Sequence, residues 1–181
     1  MKYHCIAMDP PWNEQGGGKC KRGADKHYPV MGLSDITKTI LGAPCWKPAD
    51  DCHLWMWVTD NHLLQGLSLI SQLGFRYIRM MPWVKAIKVR VHGHGFRMQS
   101  FGLGQYLRGE HEVCLLAVRG DGIGLVQNRD EGSVVIAPKT KHSVKPQEAY
   151  DKIERVSPGP RLEMFARTTR PGLDVWGNEV K

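Results

Sequence analysis

The sequence lacks the features that would assign it to several specialised classes of protein. No stretch has the apolar length of a membrane span, and the amino-terminal residues do not follow a secretory signal pattern. The five cysteines include no CxxC pair, which argues against a structural zinc site, and their odd number argues against a disulfide framework. We therefore expect a soluble, cytoplasmic protein with reduced thiols and no metal.

Acidic residues are absent between Asp60 and Glu110, although the overall composition is ordinary. The 181 residues are 41% hydrophobic and 24% charged, which is typical of a globular chain and predicts one domain over residues 1–181. The net charge of +7 is concentrated in two clusters: Lys19, Lys21, Arg22 and Lys26, and then Arg76, Arg79, Lys85, Lys88, Arg90, Arg97 and Arg108. This imbalance favours a nucleic acid as partner because phosphate contacts release counterions, although a solvated basic face is the commoner explanation of a single charge run.

Predicted strands and helices alternate along the chain. Apolar runs predict strands over residues 3–8, 53–58, 75–84, 111–118, 133–137, 161–166 and 173–176, and helices are expected after Ser34, Asn61 and Pro146. The glycine-rich interval 86–105 is expected to be a long loop, and Trp55, Trp57 and Trp83 are expected to pack in the core or at an interface rather than to stack on a base. The order predicts an α/β fold with a largely parallel sheet, helices on both faces and a ligand at the carboxyl ends of the strands.

The tetrapeptide Asp9-Pro10-Pro11-Trp12 is the most informative local pattern, since it follows the first predicted strand directly. The prolines end the strand and stiffen the turn. The Asp9 carboxylate and the Pro10 carbonyl can each accept one N–H of an exocyclic amine, while a ring stacks on the heterocycle. A structural turn at the end of a strand is the alternative explanation.

The chain resembles the S-adenosylmethionine-dependent adenine-N6 methyltransferases related to the seventy-kilodalton subunit of the mRNA adenosine methylase. The matching segments occur in family order: Asp9–Trp12, Tyr28–Met31, Leu54–Thr59, Gly74-Phe75, Trp83–Lys85, His111-Glu112, Ala117–Gly120, His142-Ser143, Lys145-Pro146, Ile153-Glu154, Ser157–Gly159, Glu163–Arg167 and Trp176–Glu179. The resemblance implies a Rossmann-like methyltransferase fold in which the catalytic strand precedes the cofactor strand.

The resemblance also implies roles for individual residues. Asp9 and Pro10, in the turn with Pro11, would hold the target amine, and Trp12 and Tyr28 would line the base pocket. Lys85 lies in a family-like segment and is expected to touch either the polynucleotide or a partner subunit; the charge pattern, and not the resemblance, predicts phosphate contacts by the basic loop residues Lys19, Lys21 and Arg22. Lys145 would pair with the cofactor's methionine carboxylate, and the further cofactor residues would be Glu163, Met164, Phe165, Arg167, Asn178 and Glu179.

The activity that the resemblance implies is transfer of a methyl group from S-adenosylmethionine to N6 of adenine in a polynucleotide. We expect DNA rather than RNA as substrate, a bacterial or phage origin, and a homodimer formed through the segment near Trp83 to Gly109. Three alternatives remain open: an RNA adenine-N6 methyltransferase, a cytosine-N4 DNA methyltransferase and a non-catalytic nucleic-acid-binding subunit. Asp9 argues against the cytosine enzymes, in which serine commonly occupies this position of the turn.

Reversing the charge of Lys19, Lys21 and Arg22 should weaken the salt dependence of polynucleotide binding. For each phosphate of B-form DNA that the protein no longer neutralises, the slope of log K against log salt should fall by about 0.9. Fluorescence anisotropy at several salt concentrations measures this slope. An unchanged slope would show that the basic loop does not bind phosphates.

Overall fold

The structure, a computed structural model, describes residues 1–13, 31–90, 94–98, 106–139, 144–178 and 180, with the backbone alone for residues 87–90 and 94–98. Within these ranges the chain forms an eight-stranded sheet and three α-helices, which confirms the predicted α/β class. The strands are β1 (Tyr3–Met8), β2 (Pro48–Val58), β3 (Arg76–Arg90), β4 (His94–Met98), β5 (His111–Arg119), β6 (Val135–Ala137), β7 (Arg161–Met164) and β8 (Asp174–Trp176). The helices are α1 (Leu33–Gly42), α2 (Leu63–Gln72) and α3 (Gln147–Val156).

Strand β1 is central to the parallel half of the sheet. It pairs in parallel with β2 on one side and with β7 on the other, and β7 pairs in parallel with β8. The register places Met8 opposite both Met56 of β2 and Met164 of β7. The chain segments that follow β1 and β7 therefore begin side by side at one edge of the sheet. This carboxyl edge is where sheets of this kind bind ligands.

The other half of the sheet is antiparallel, so the sheet is mixed rather than parallel throughout. Strand β5 runs antiparallel to both β2 and β3, with Val113 opposite Val58 and Glu112 opposite Trp83. Because of this reversal, the beginning of β5 lies at the same edge as the end of β1. An apolar run does not encode strand direction, which is why the sequence pattern could not predict this placement.

Helices cover both faces of the sheet, as predicted. Helices α1 and α2 bury Ile36, Ile40, Leu69 and Ile70 in a cluster on one face. Helix α3 buries Ala149 and Ile153 in a second cluster, which also contains Trp55, Trp57 and Trp83. These tryptophans are at most 4% exposed, so their predicted place in the core is confirmed.

The interval predicted as a long loop is in part a β-hairpin. Strand β3 continues to Arg90 and pairs antiparallel with β4, with Val89 opposite Gly95. The ladder of backbone hydrogen bonds in this hairpin outweighs the low strand propensity of glycine. Residues 99–105 of the predicted loop lie outside the described ranges.

The helix starts differ by a few residues from the predictions. Gly32, rather than Ser34, is the N-cap of α1. A short 3-10 helix at Asp60–His62 precedes α2, and Pro146 is the N-cap of α3 rather than its first residue. Capping patterns place such boundaries only approximately, because the backbone at a helix end is also set by the packing of the next segment.

A buried polar network joins β2 to the end of α3. His53 is 1% exposed, with Nε2 at 2.7 Å from the Gly122 carbonyl oxygen and Nδ1 at 2.8 Å from Ser157 Oγ. Since a carbonyl only accepts, Nε2 carries the proton and Nδ1 accepts from the Ser157 hydroxyl. The Trp55 indole donates to the same hydroxyl oxygen at 2.9 Å. Burial lowers the pKa of His53, although the hydrogen bond to Gly122 acts in the opposite direction.

The contribution of His53 to stability should decrease as the solution becomes acidic. In the unfolded chain the imidazole titrates near its ordinary pKa of 6.5, and in the folded protein its pKa is lower. The contribution is therefore complete above pH 6.5 and is lost as the pH falls through the folded pKa. Urea unfolding at several pH values should show that the difference in unfolding free energy between wild type and His53→Asn shrinks on acidification.

A difference between wild type and His53→Asn that grows on acidification would contradict the assignment of a neutral imidazole.

Candidate active site

The Asp9–Trp12 turn leaves the sheet at the carboxyl end of β1. Strand pairing ends at Met8, because proline cannot donate to the ladder. The Trp12 amide donates to the Pro10 carbonyl at 2.8 Å, and the Met31 amide donates to the Pro11 carbonyl at 2.8 Å. The Pro10 carbonyl, which is predicted to hold the target amine, therefore already accepts one hydrogen bond. A carbonyl oxygen has a second lone pair for another donor.

Trp12, predicted to line the base pocket, lies largely inside the protein. Its indole is 5% exposed and donates to the Trp57 carbonyl oxygen at 2.9 Å. The His62 ring stacks on it, with ring centroids 5.5 Å apart and planes 24° apart. His62 in turn has Nδ1 at 3.0 Å from Thr59 Oγ1. One face of the indole is therefore covered, and a contact between Trp12 and a base stays a prediction.

Asp9 is the first member of a line of four alternating charges, which we call the charge network: Asp9, Lys145, Glu112 and Lys85. The Lys145 ammonium lies 3.0 Å from Asp9 Oδ2 and 3.0 Å from Glu112 Oε2. The Lys85 ammonium lies 2.9 Å from Glu112 Oε1. The two lysine side chains are only 11% and 14% exposed, so these ion pairs are partly shielded from water.

Burial and pairing act in opposite directions on the pKa values of the charge network. Burial raises the pKa of Asp9, and Lys145 acts against this. Burial also acts to raise the pKa of Glu112, but the charges of Lys145 and Lys85 outweigh it and the pKa is lowered. For Lys145, burial acts to lower the pKa, but the two carboxylates outweigh it and the pKa is raised. Lys145 and Glu112 are therefore charged at neutral pH.

The charge network thus contains two predicted ligand-binding cations, of which Lys145 contacts Asp9 directly. Lys145, predicted to pair with the cofactor carboxylate, contacts two carboxylates of the protein itself. Lys85, predicted to touch the polynucleotide or a partner subunit, contacts Glu112. Each ammonium carries three N–H donors, so these contacts leave donor capacity for a ligand.

Glu163, a predicted cofactor residue on β7, is a buried carboxylate at the same edge. It is 7% exposed, and its Oε1 accepts from the Tyr150 hydroxyl at 2.5 Å. Arg170 Nε lies 3.3 Å from Oε2, and the Arg170 guanidinium lies 3.7 Å from the centroid of the Tyr150 ring. Burial raises the pKa of Glu163, while Tyr150 and Arg170 act against this. Among the described residues, Oε2 lacks a hydrogen bond of good geometry, which makes it a candidate acceptor for a ligand.

The chain after β7 folds back against β8. Phe165 adopts a positive φ of 59°, and its ring packs against Trp176 with centroids 5.7 Å apart. The Ala166 amide donates to the Trp176 carbonyl at 3.0 Å. A Cβ on Gly177 would lie 2.1 Å from the Ala166 carbonyl oxygen, so only glycine fits here. Met164, predicted with Phe165 to contact the cofactor, is fully buried.

The remaining predicted residues fall into two groups. Arg167 is half-buried and acts on Asp9 by lowering its pKa, although burial dominates, and Asn178 is exposed after β8. The others lie outside the described residues: Lys19, Lys21, Arg22, Tyr28 and Glu179.

Sequence reasoning missed three side chains as parts of this site: Glu112, Tyr150 and Arg170. Glu112 carried a signal, because it belongs to one of the family-like segments, but its strand direction was unknown. Tyr150 and Arg170 carried none, since a tyrosine on a helix and an arginine in a turn have no distinctive spacing. The packing of α3 brings Tyr150 to Glu163, and the course of the chain after β7 brings Arg170 there.

Two kinds of feature are not found in the part of the chain that the structure describes. None of its helices is long and apolar enough to cross a membrane. The same residues contain no group of three or more His, Cys, Asp or Glu side chains placed to hold a metal ion.

Comparison with known proteins identifies the family. The family model described as MT-A70 matches residues 3–179, and the chain therefore belongs to the MT-A70 family. This confirms the family resemblance that the Asp9–Trp12 turn and the later segments predicted. The family is one of adenine-N6 methyltransferases.

Similar proteins come from animals and from bacteria. The chain is 29% identical to the human N(6)-adenosine-methyltransferase catalytic subunit METTL3 over 183 residues, which cover 99% of this chain and 28% of METTL3. It is 28% identical to the Drosophila melanogaster N(6)-adenosine-methyltransferase MT-A70-like protein, over 27% of that protein. It is 27% identical to the Type II methyltransferase M.MunI of Mycoplasma sp over 200 residues, covering 78% of that protein. The chain thus spans less than a third of the METTL3 relatives it matches.

Replacing Tyr150 by Phe should destabilise the protein by about 1–3 kcal/mol, because the buried Glu163 carboxylate would be left without its hydroxyl donor. Chemical denaturation at neutral pH measures this change. The matched control is Tyr77→Phe on β3, where the side chain is 39% exposed and the change should stay within about 0.5 kcal/mol. Equal effects of the two substitutions would contradict the importance of the Tyr150–Glu163 bond.

Proposed function

We propose that this protein transfers the methyl group of S-adenosylmethionine to N6 of adenine in a polynucleotide, with DNA as the substrate. The observation that carries the proposal is the position of Asp9. This carboxylate follows β1 at the carboxyl edge of the sheet, in a turn stiffened by two prolines, with Lys145 at 3.0 Å. Family membership supports the same reaction.

The residues at this edge fit the cofactor. Glu163 Oε2 is a buried acceptor without a well-formed hydrogen bond, which suits a ribose hydroxyl. Lys145 has one N–H left after its contacts with Asp9 and Glu112, which suits the carboxylate of an amino acid. Phe165, Arg167 and Asn178 follow the neighbouring strands and belong to the proposed cofactor residues, together with Met164 and Glu179. When bound, S-adenosylmethionine supplies a methyl group on a positively charged sulfur.

The chain's own contribution is to hold the target amine and to stabilise the charge that develops on it. Asp9 accepts one amine N–H and the Pro10 carbonyl accepts the other, so the nitrogen lone pair is directed away from the heterocycle. The Asp9 carboxylate would stabilise the positive charge that develops on this nitrogen as it accepts the methyl group. Burial raises the pKa of Asp9, which makes it a better acceptor for the proton that the nitrogen then releases.

The choice of DNA rests on the comparisons, whereas the positive charge supports a polynucleotide of either kind. The match extends over 78% of M.MunI but over only 28% of human METTL3. The name of METTL3 gives adenosine, a ribonucleoside, as its target, so the smaller coverage of METTL3 favours DNA over RNA as the substrate. The basic segment with Lys19, Lys21 and Arg22 follows the Asp9–Trp12 turn in the sequence and is the proposed phosphate contact. In a duplex, the target adenine has to be flipped out of the stack to reach Asp9.

A homodimer is part of the proposal. The described surface of β3 carries large apolar side chains that are partly exposed, Tyr77, Ile78 and Met80, each close to 40%. Val134 and Ile136, in and beside β6, are exposed to a similar degree. These residues extend the proposed interface beyond the segment from Trp83 to Gly109.

Methyl transfer should be measured side by side on single-stranded DNA, duplex DNA and RNA of one sequence, with mass spectrometry of the released nucleosides. The expected product is N6-methyldeoxyadenosine. Methylation of RNA alone would contradict the choice of DNA, and N4-methylcytosine without N6-methyladenine would contradict the choice of base. A protein without transfer and without saturable binding of S-adenosylmethionine in calorimetry would be a non-catalytic subunit.

In the same assay, Asp9→Ala and Asp9→Asn should reduce the rate about 100-fold or more, because no carboxylate remains to accept the amine N–H. Calorimetry should show that the affinity for S-adenosylmethionine changes only a few-fold. The control is Asp35→Ala, which removes an exposed carboxylate in the first turn of α1 and should leave the rate unchanged. A rate close to wild type in Asp9→Asn would overturn the role of Asp9.

A further inference from the structure

Glu112 has no role in the proposed reaction, yet it is tied to Asp9 through a single shared cation. The Lys145 ammonium lies at 3.0 Å from both carboxylates, so it is divided evenly between them. Glu112 itself lies between two ammonium groups, since its other oxygen is 2.9 Å from Lys85. Asp9 and Glu112 come from different parts of the sheet, the end of β1 and the start of β5, and meet only because β5 runs antiparallel to β2.

The division of Lys145 has consequences for Asp9. A lysine side chain has four rotatable bonds, so an ammonium held from one side only is poorly fixed. With Glu112 ionised, the ammonium is held from two sides, and the negative charge of Glu112 offsets part of the effect of the ammonium on Asp9. With Glu112 neutral, the whole charge would act on Asp9, and the carboxylate would become a weaker acceptor for another N–H.

We propose that Glu112 is a positioning residue that acts through Lys145. It fixes the ammonium and offsets part of the ammonium's attraction for Asp9, so that Asp9 can accept the target amine. Lys85 completes the arrangement by keeping Glu112 in its carboxylate form. The inference rests on the proposed function, because an acceptor at Asp9 has a use only if an amine is brought there.

Several other groups face Asp9 and have to be considered with Glu112. They come from β5, from α3, from β7 and from the segment after β7: Cys114, Tyr150, Glu163 and Arg167. Burial raises the pKa of Cys114 and of Tyr150 well above their ordinary values, so both are neutral near pH 7. Replacing Glu112 leaves all of these groups in place.

The direct test is the titration of the Asp9 carboxyl carbon by ¹³C NMR in wild type, in Glu112→Gln and in Glu110→Gln. The Asp9 signal is assigned by its absence in Asp9→Asn. Since the charge of Glu112 raises the pKa of Asp9, the midpoint should move to lower pH in Glu112→Gln. Glu110 carries the same charge immediately before β5 and serves as the matched control, with no shift expected. A midpoint in Glu112→Gln that is unchanged or higher would overturn the inference.

The kinetic test separates positioning from a structural role. Glu112→Gln should lower kcat about tenfold, keep the Kd for S-adenosylmethionine within about threefold, and move the acid limb of the kcat profile to lower pH. A decrease in stability alone would reduce the active fraction without moving that limb. An unchanged kcat, or a lower kcat with an unmoved limb, would overturn the inference.

The role of Lys85 is tested by a double-mutant cycle. Lys85→Met should lower kcat in the wild-type background and have no further effect in the Glu112→Gln background, because the inference has Lys85 acting on Asp9 through Glu112. Additive effects would overturn this part of the inference and would favour direct binding of Lys85 to the polynucleotide.

The failure of the inference can be distinguished from the failure of the proposed function. If wild type methylates no polynucleotide, the proposed function fails, and the NMR titration still decides whether the charge of Glu112 acts on Asp9. If wild type methylates DNA and the Asp9 midpoint is the same in Glu112→Gln, only the inference fails.

Discussion

The ion pair between Asp9 and Lys145 is the interaction on which the candidate site depends. A carboxylate placed at the edge of a buried sheet is poorly hydrated, and its charged form needs a nearby cation. Lys145 supplies that cation but is itself largely buried, so it needs more than one carboxylate. Glu112 supplies the second carboxylate, and the positive charge of Lys85 balances the charge of Glu112. Each member of the charge network therefore stabilises the charged form of its neighbour.

The sheet determines which of these groups can meet. Parallel pairing of β1 with β2 and β7 brings the ends of the three strands to one edge, and Asp9 and Phe165 begin there. The antiparallel course of β5 adds Glu112, which a fully parallel sheet would have placed at the opposite edge. The charge network therefore requires the mixed topology of the sheet.

Two carboxylates at the same edge, the half-buried Asp9 and the buried Glu163, are held in different ways. Asp9 is paired with the ammonium of Lys145, which Glu112 also binds. Glu163 is held by the Tyr150 hydroxyl and the planar guanidinium of Arg170. A shared ammonium leaves Asp9 able to exchange partners. The stacked arginine and the short hydroxyl hydrogen bond hold Glu163 in one orientation. This difference agrees with a reacting role for Asp9 and a binding role for Glu163 in the proposed reaction.

The amino-acid sequence by itself determined the α/β class, the core tryptophans, the end of β1 at Asp9 and the family, because hydrophobic periodicity, proline and an ordered set of short motifs are local properties. It also pointed to Lys145 and Glu163 as site residues through the family resemblance. Only the tertiary structure decided the direction of β5 and the extension of β3 into a hairpin, and it joined Glu112 and Tyr150 to the site. Strand direction and the packing of a helix against a strand depend on pairing between distant segments, and no local pattern encodes them.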